Sequence, residues 1–160
     1  MHDKLKNIKL FISDVDGVMT DATIWLDSNM KWKRKFNVLD GMGLIRLMKQ
    51  GIKVGIITAS DADDVRFRFE FLKVDYFYEK SSDKGLALQD LLKKTGFDLS
   101  EIAYIGDDLM DLPVIEAVGF GVAVPNSLEE VQAKADYVTK RAGGEGAVRE
   151  VCEMILRAKR

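Results

Sequence analysis

Residues 11–21, Phe-Ile-Ser-Asp-Val-Asp-Gly-Val-Met-Thr-Asp, set Asp14, Asp16 and Asp21 directly behind the apolar run Ile8, Leu10, Phe11 and Ile12. Carboxylates gathered at the end of a buried strand repel one another unless a cation or a proton stands between them. Three further polar groups follow apolar runs in the same way: Thr58 after Lys53–Ile57, Lys84 at the start of the amphipathic stretch after Tyr78, and Gly106-Asp107-Asp108 after Ile102–Ile105. The only histidine, His2, lies at the terminus, and the only cysteine, Cys152, repeats with Val148, Val151 and Ile155 at helical spacing, which reads as core. That excludes Ser-His and Cys-His catalysis and a His-based zinc site. A donor set made of oxygens alone suits Mg²⁺, which keeps waters and takes phosphate oxygens. The chemistry expected of the set is phosphoryl transfer. One aspartate attacks phosphorus, the second gives and takes a proton, and the Thr58 hydroxyl and Lys84 ammonium hold the remaining phosphoryl oxygens.

Each part has a plainer reading. Asp-x-Asp-Gly occurs in many turns because Asp and Gly favour them. As a calcium loop counted from Asp14, it would put Val18 at position 5, Met19 where glycine is needed and Trp25 where the bidentate glutamate belongs, so that reading fails. Asp107 and Asp108 could simply cap a helix from Leu109. Thr58 and Lys84, taken singly, resemble a strand-end hydroxyl and a solvated lysine. Asp21 reads as a turn or hairpin-base residue. The specificity lies in the combination and its order.

The elements that must position these groups are legible from apolar patterning. Short apolar runs at 8–13, 53–58, 75–78, 102–106 and 121–124 alternate with amphipathic stretches at about 41–50, 61–73, 84–95, 109–118, 128–135 and 145–158. That alternation predicts an α/β fold, a Rossmann-like doubly wound parallel sheet with helices on both faces, whose ligands bind beyond the carboxyl ends of the strands. Gly51 and Gly96 suit helix exits, and Ser127 with Glu130 forms a capping-box pattern. Residues 23–38 break the alternation: Trp25, Trp32 and Phe36 surround an Asp27-Ser28-Asn29 turn, which predicts a β-hairpin flap after the first strand. Its aromatic surface suggests packing on another subunit, with folding back onto its own sheet as the alternative.

The chain has 160 residues, 47% of them hydrophobic and 31% charged, which fits a single domain over 1–160. A net charge of −2 without a basic run argues against nucleic acid as a partner. No apolar stretch approaches the ~18 residues of a membrane span, and the start lacks the long apolar region of a secretory signal. With one cysteine, the expectation is a soluble cytoplasmic protein with no membrane partner.

Asp14-Val15-Asp16-Gly17-Val18 with Thr20, then Thr58, Lys84 and Gly106-Asp107-Asp108, resemble in order the motifs of the haloacid dehalogenase superfamily of phosphotransferases. The resemblance implies Asp14 as nucleophile and Asp16 as acid/base. It implies Asp14, the Asp16 backbone carbonyl and Asp107 as Mg²⁺ ligands, with Asp108 and Asp111 behind them. Only about 20 residues separate Asp21 from the helix after Asp40, room for a hairpin and none for a cap domain, so the match is to the capless group. Within it, residues 35–43, 104–114, 135–139 and 143–151 resemble the phosphatases of phosphorylated 3-deoxy-2-ulosonic acids across nearly the whole chain. The implied substrate is a sugar-acid phosphate, 3-deoxy-D-manno-octulosonate 8-phosphate first, with a nine-carbon 2-keto-3-deoxy sugar-acid 9-phosphate as alternative. The implied assembly is a homotetramer formed through the hairpins. Asn37, Val38, Asp40, Gly41 and Arg68, with Asp16 and Lys84, are the implied substrate-binding set. Leu39, Ser60 and Ala22 depart from the family's usual Arg, Arg and Gly, and two of these changes remove cations near the sugar. A receiver-like domain, which would want its acid at the end of the third strand, and a non-catalytic assembly module are the readings from other classes.

Overall fold

The computed structural model describes all 160 residues. A short helix, α1 (His2–Asn7), precedes β1 (Leu10–Ser13), and a hairpin of β2 (Trp25–Leu26) and β3 (Trp32–Lys33) leads into α2 (Val38–Lys49). The chain then runs through β4 (Lys53–Ile57), α3 (Asp63–Leu72), β5 (Tyr76–Tyr78), α4 (Lys84–Thr95) and β6 (Ile102–Gly106). It finishes with α5 (Leu112–Ala117), β7 (Phe120–Ala123), α6 (Glu129–Lys134), β8 (Tyr137–Val138) and α7 (Ala147–Ala158). All strands but the hairpin pair form one parallel sheet in the order β5-β4-β1-β6-β7-β8. The doubly wound architecture expected from the sequence is present, and no cap domain accompanies it.

Each strand alternates its side chains between two cores, the consequence of a two-residue period with both sheet faces covered. Phe11, Val54, Ile56, Ala103 and Ile105 join residues of α2, α3 and α7 on one face. Leu10, Ile12, Ile57, Ile102 and Tyr104 join residues of α4, α5 and α6 on the other. The chain grows outward from β1 through β4 and β5, then returns to β1 and grows the other way from β6. That reversal opens a crevice at the carboxyl ends of β1 and β6. Ser13 lies opposite Ile105, and the Asp14 N–H donates to the Ile105 carbonyl at 3.0 Å, so Asp14 and Asp107 leave the sheet side by side.

Several local expectations need correction. The terminus that carries His2 is helical and buries Leu5. The Ser127–Glu130 capping box does not form: the Ser127 hydroxyl donates to the Val124 carbonyl at 2.6 Å, and α6 begins after Leu128. The single helix expected over 109–118 is a 3₁₀ turn, Leu109–Asp111, followed by α5, whose first turn carries Pro113. The edge strand β8 was missed because two residues carry no readable period. The hairpin is as expected, with the Asp27 carboxylate accepting from the N–H groups of Asn29 and Lys31 at 2.8 and 3.0 Å. It stands apart from the main sheet, leaving Trp25 and Trp32 half exposed. Asp21 accepts from the Thr23 N–H at 3.0 Å, a turn role.

Candidate active site

Asp14, Asp107 and Asp111 each bring a carboxylate oxygen into one cluster whose atoms lie within 4.8 Å of one another. Lys84, first residue of α4 and 2% exposed, reaches in from the helix that follows the edge strand β5. Its Nζ lies 2.8 Å from Asp14 and 2.6 Å from Asp111. Burial alone would push the ammonium down, but the two carboxylates outweigh it and hold Lys84 above its ordinary value. Desolvation, then repulsion from Asp111, raises Asp14 to about 6. Desolvation, with Asp14 and Asp111 beside it, raises Asp107 to about 8. When all three carboxylates are ionised, the one ammonium leaves two negative charges without a partner, the complement of a divalent cation.

The hydrogen bonds separate the roles within the cluster. Asp111 has both oxygens occupied: Oδ1 accepts from Lys84 and from the buried Tyr104 hydroxyl, and Oδ2 accepts from the N–H groups of Asp107 and Asp108 at 2.9 and 3.0 Å. It therefore fastens Lys84 and the loop after β6, whereas Asp14 and Asp107 are the members of the cluster with carboxylate oxygens that could turn to a cation. Asp108 caps the 3₁₀ turn by accepting from the Leu109 N–H at 2.7 Å. So the plain capping reading holds for Asp108 and not for Asp107, whose carboxylate lies over Gly17. A Cβ at Gly17 would sit 1.9 Å from Asp107 Oδ2, and its φ of +82° is a second reason for glycine.

Behind this loop, Gly143 packs so closely that a Cβ there would lie 1.8 Å from the Gly17 carbonyl. Asn126 ties the two segments, donating to the Gly17 carbonyl at 2.9 Å and accepting from the Gly143 N–H at 2.7 Å. The glycine-rich segment before α7 thus braces the loop after β1. Thr58 is buried at the end of β4, and its hydroxyl accepts from the Ser60 N–H at 3.1 Å. The Asp16 carboxylate, 39% exposed, faces Arg34, whose Nε and Nη2 donate to its two oxygens at 2.5 and 3.3 Å.

The expected sugar-binding residues are spread over several tasks. Asn37 caps α2 by accepting from the Leu39 N–H at 2.8 Å, and its amide donates to the Gly144 carbonyl at 3.0 Å. Val38 is exposed, whereas Asp40 and Gly41 are buried. Asp40 accepts from the Arg149 N–H at 2.8 Å, in the first turn of α7, and burial raises it to about 6. Arg68 stands over the Phe36 ring and shares with Arg34 and Asp64 a cavity of about 430 Å³ beside the hairpin. Asp14, Lys84 and Asp107 thus meet at the strand ends, with Thr58 buried at the end of the adjacent β4 and Asp16 partly exposed against Arg34, while Asp40 stays under α7. Sequence reading missed Tyr104, Asn126 and Arg34. The first looked like core, the second followed a proline without a pattern, and the third sat in a Lys-Trp-Lys-Arg-Lys run that reads as solvated charge.

A family model described as haloacid dehalogenase-like hydrolase matches residues 74–151. The 3-deoxy-D-manno-octulosonate 8-phosphate phosphatase KdsC of Escherichia coli (strain K12) is 44% identical over 156 residues, 98% of this chain and 83% of that protein. The solved 3-deoxy-D-manno-octulosonate 8-phosphate phosphatase of Moraxella catarrhalis, in complex with magnesium ion, phosphate ion and KDO, superposes with a TM-score of 0.96 at 45% identity. That match covers 99% of this chain and 91% of the other. The enzyme of the same name from Yersinia pestis gives 0.96 at 42% identity, covering 99% and 85%.

Proposed function

The chain belongs to the haloacid dehalogenase-like hydrolases, and from that membership we propose a Mg²⁺-dependent phosphatase of 3-deoxy-D-manno-octulosonate 8-phosphate that works through an aspartyl phosphate. The observation that carries the reading is the Asp14–Lys84–Asp111 ion-pair set with Asp107 beside it, standing where the sheet order reverses. The Moraxella catarrhalis relative, described with magnesium, phosphate and KDO, supports both the cation and the substrate.

In this mechanism Asp14 attacks phosphorus, and the bond to the leaving sugar oxygen breaks as Asp16 gives that oxygen a proton. Asp16 then takes a proton from the water that attacks the acyl phosphate, which releases phosphate and restores Asp14. Lys84 and the Thr58 hydroxyl stabilise the charge spread over the phosphoryl oxygens. Asp14, the Asp16 carbonyl and Asp107 would hold Mg²⁺, which supplies charge neutralisation at the phosphoryl oxygens. Asn37, Val38, Asp40, Gly41 and Arg68 form the sugar-acid side, Asp40 acting from beneath the surface and Arg68 through its guanidinium. One phosphatase domain over 1–160, associating as a homotetramer through the hairpins in the cytoplasm, completes the proposal. The exposed hairpin apolars and the absence of any helix long and apolar enough to cross a membrane support it.

The related nine-carbon 9-phosphate remains the second substrate, since Leu39 and Ser60 stand where the family usually has Arg, and those cations bear on sugar recognition. Phosphate release from a panel of sugar phosphates tests the proposal: turnover is highest on the eight-carbon acid 8-phosphate, is lost with a chelator, returns with Mg²⁺, and is absent in Asp14→Asn. Turnover that ignores Mg²⁺ or survives Asp14→Asn would sink it.

A further inference from the structure

Arg34 follows β3 directly and lies on the returning arm of the hairpin, yet its side chain turns inward and is 7% exposed. Its guanidinium meets three separate segments. Nε and Nη2 grip the two oxygens of Asp16 at 2.5 and 3.3 Å, Nη2 also donates to Ser60 Oγ at 3.2 Å, and Nη1 donates to Asp64 at 3.1 Å. Ser60 in turn donates its N–H to Thr58 at 3.1 Å, and Asp64 sits in the first turn of α3. No other cation pairs with Asp16, whereas the nucleophile Asp14 is paired with Lys84. Each of the two reacting carboxylates thus has its own cation, one carried by the first turn of α4 and one by the hairpin.

We propose that Arg34 is a positioning residue for Asp16, through which the hairpin sets the proton-transfer step; this role rests on the phosphatase reading above. A carboxylate at the mouth of an open crevice can rotate about both of its side-chain torsions, and proton transfer requires it within hydrogen-bond reach of the leaving oxygen. A guanidinium bonded to both oxygens fixes the plane of that carboxylate, which a lysine's point charge does not do. Asp64 and Ser60 hold the far edge of the fork, so it stays in place while Asp16 gains or gives its proton. The link also gives the hairpin a catalytic consequence, because any displacement of its returning arm moves Arg34, and Arg34 moves Asp16.

The test separates the two half-reactions with an aryl phosphate, whose leaving group needs no proton, and the sugar-acid phosphate, whose leaving group does. In Arg34→Met, the burst of aryl alcohol keeps a rate within about 3-fold of wild type. Turnover of the sugar-acid phosphate falls roughly 10²-fold with KM little changed, the size expected for a displaced general acid. The pH profile of kcat loses the limb that reports the acid, Arg34→Lys recovers less than about 10-fold, and Arg34→Met adds nothing in an Asp16→Asn background. Should Arg34→Met fail to fold, Asp64→Asn, which frees the far edge of the fork, is expected to show the same pattern at smaller size. Equal losses on both substrates, additivity with Asp16→Asn, or a rise confined to KM for the sugar acid would overturn the role. An active wild type with any of those three results overturns this inference alone, whereas a wild type inactive on every phosphate ester overturns the phosphatase reading and the role with it.

Discussion

With Nζ 2.8 Å from Asp14 and 2.6 Å from Asp111, Lys84 is the single positive charge inside a buried acidic cluster. Breaking a buried pair costs more than the pair contributes, because the abandoned partner stays desolvated. Lys84→Met is therefore expected to lower unfolding stability by about 3–5 kcal/mol at neutral pH, read from denaturant midpoints, and to abolish turnover. Added Mg²⁺ restores part of the lost stability and none of the turnover, since a cation beside Asp14 and Asp107 compensates charge without replacing the Lys84 ammonium on phosphate. Unchanged stability in this variant would mean that the ion pairs are not buried as described. Ala22 holds φ +65°, a left-handed conformation that glycine adopts without strain and alanine only at a cost.

The packing of α2 against α7 turns on Asp40, which lies in the first turn of α2 and accepts from the N–H of Arg149 in α7. Its second oxygen is buried without a partner, and burial raises its carboxyl to about 6. The folded protein thus holds the Asp40 proton more tightly than the unfolded chain does. Its stabilising contribution is fully present below about pH 4 and is lost as pH rises through about 6. Asp40→Asn keeps an acceptor for Arg149 and removes the charge. Relative to wild type, it is expected to gain up to about 3 kcal/mol between about pH 4 and pH 7.5, measured by urea unfolding at each pH. A wild-type and variant difference that does not change with pH would contradict this placement. The family resemblance puts Asp40 in the sugar-binding set, and the packing of α2 on α7 buries its carboxylate against the Arg149 N–H.

For the molecule as a whole, the hairpin presents Ile24, Trp25, Leu26, Met30 and Trp32 to solvent, an apolar surface larger than an isolated flap needs. If the copies associate there, Trp25→Glu with Trp32→Glu yields smaller particles in sedimentation while circular dichroism stays unchanged; an unaltered particle size would place the interface elsewhere. The sequence by itself determined the α/β class, five strands of the main sheet, the hairpin and the order of the motif residues Asp14, Asp16, Thr58, Lys84 and Asp107. Those features rest on local periodicity, turn chemistry and motif spacing, which a linear chain displays directly. It did not determine which acid faces which partner. Asp107 and Asp108 are adjacent and alike in type, yet one lies over Gly17 and the other caps a turn. Asp111 shares the cluster with Asp14 although 96 residues lie between them in sequence. Arg34 reads as one more solvated charge of the hairpin until the fold turns it inward onto Asp16. Those assignments come from strand order and long-range packing, which bring distant residues together and set their burial, and burial decides whether a charged side chain is solvated or held.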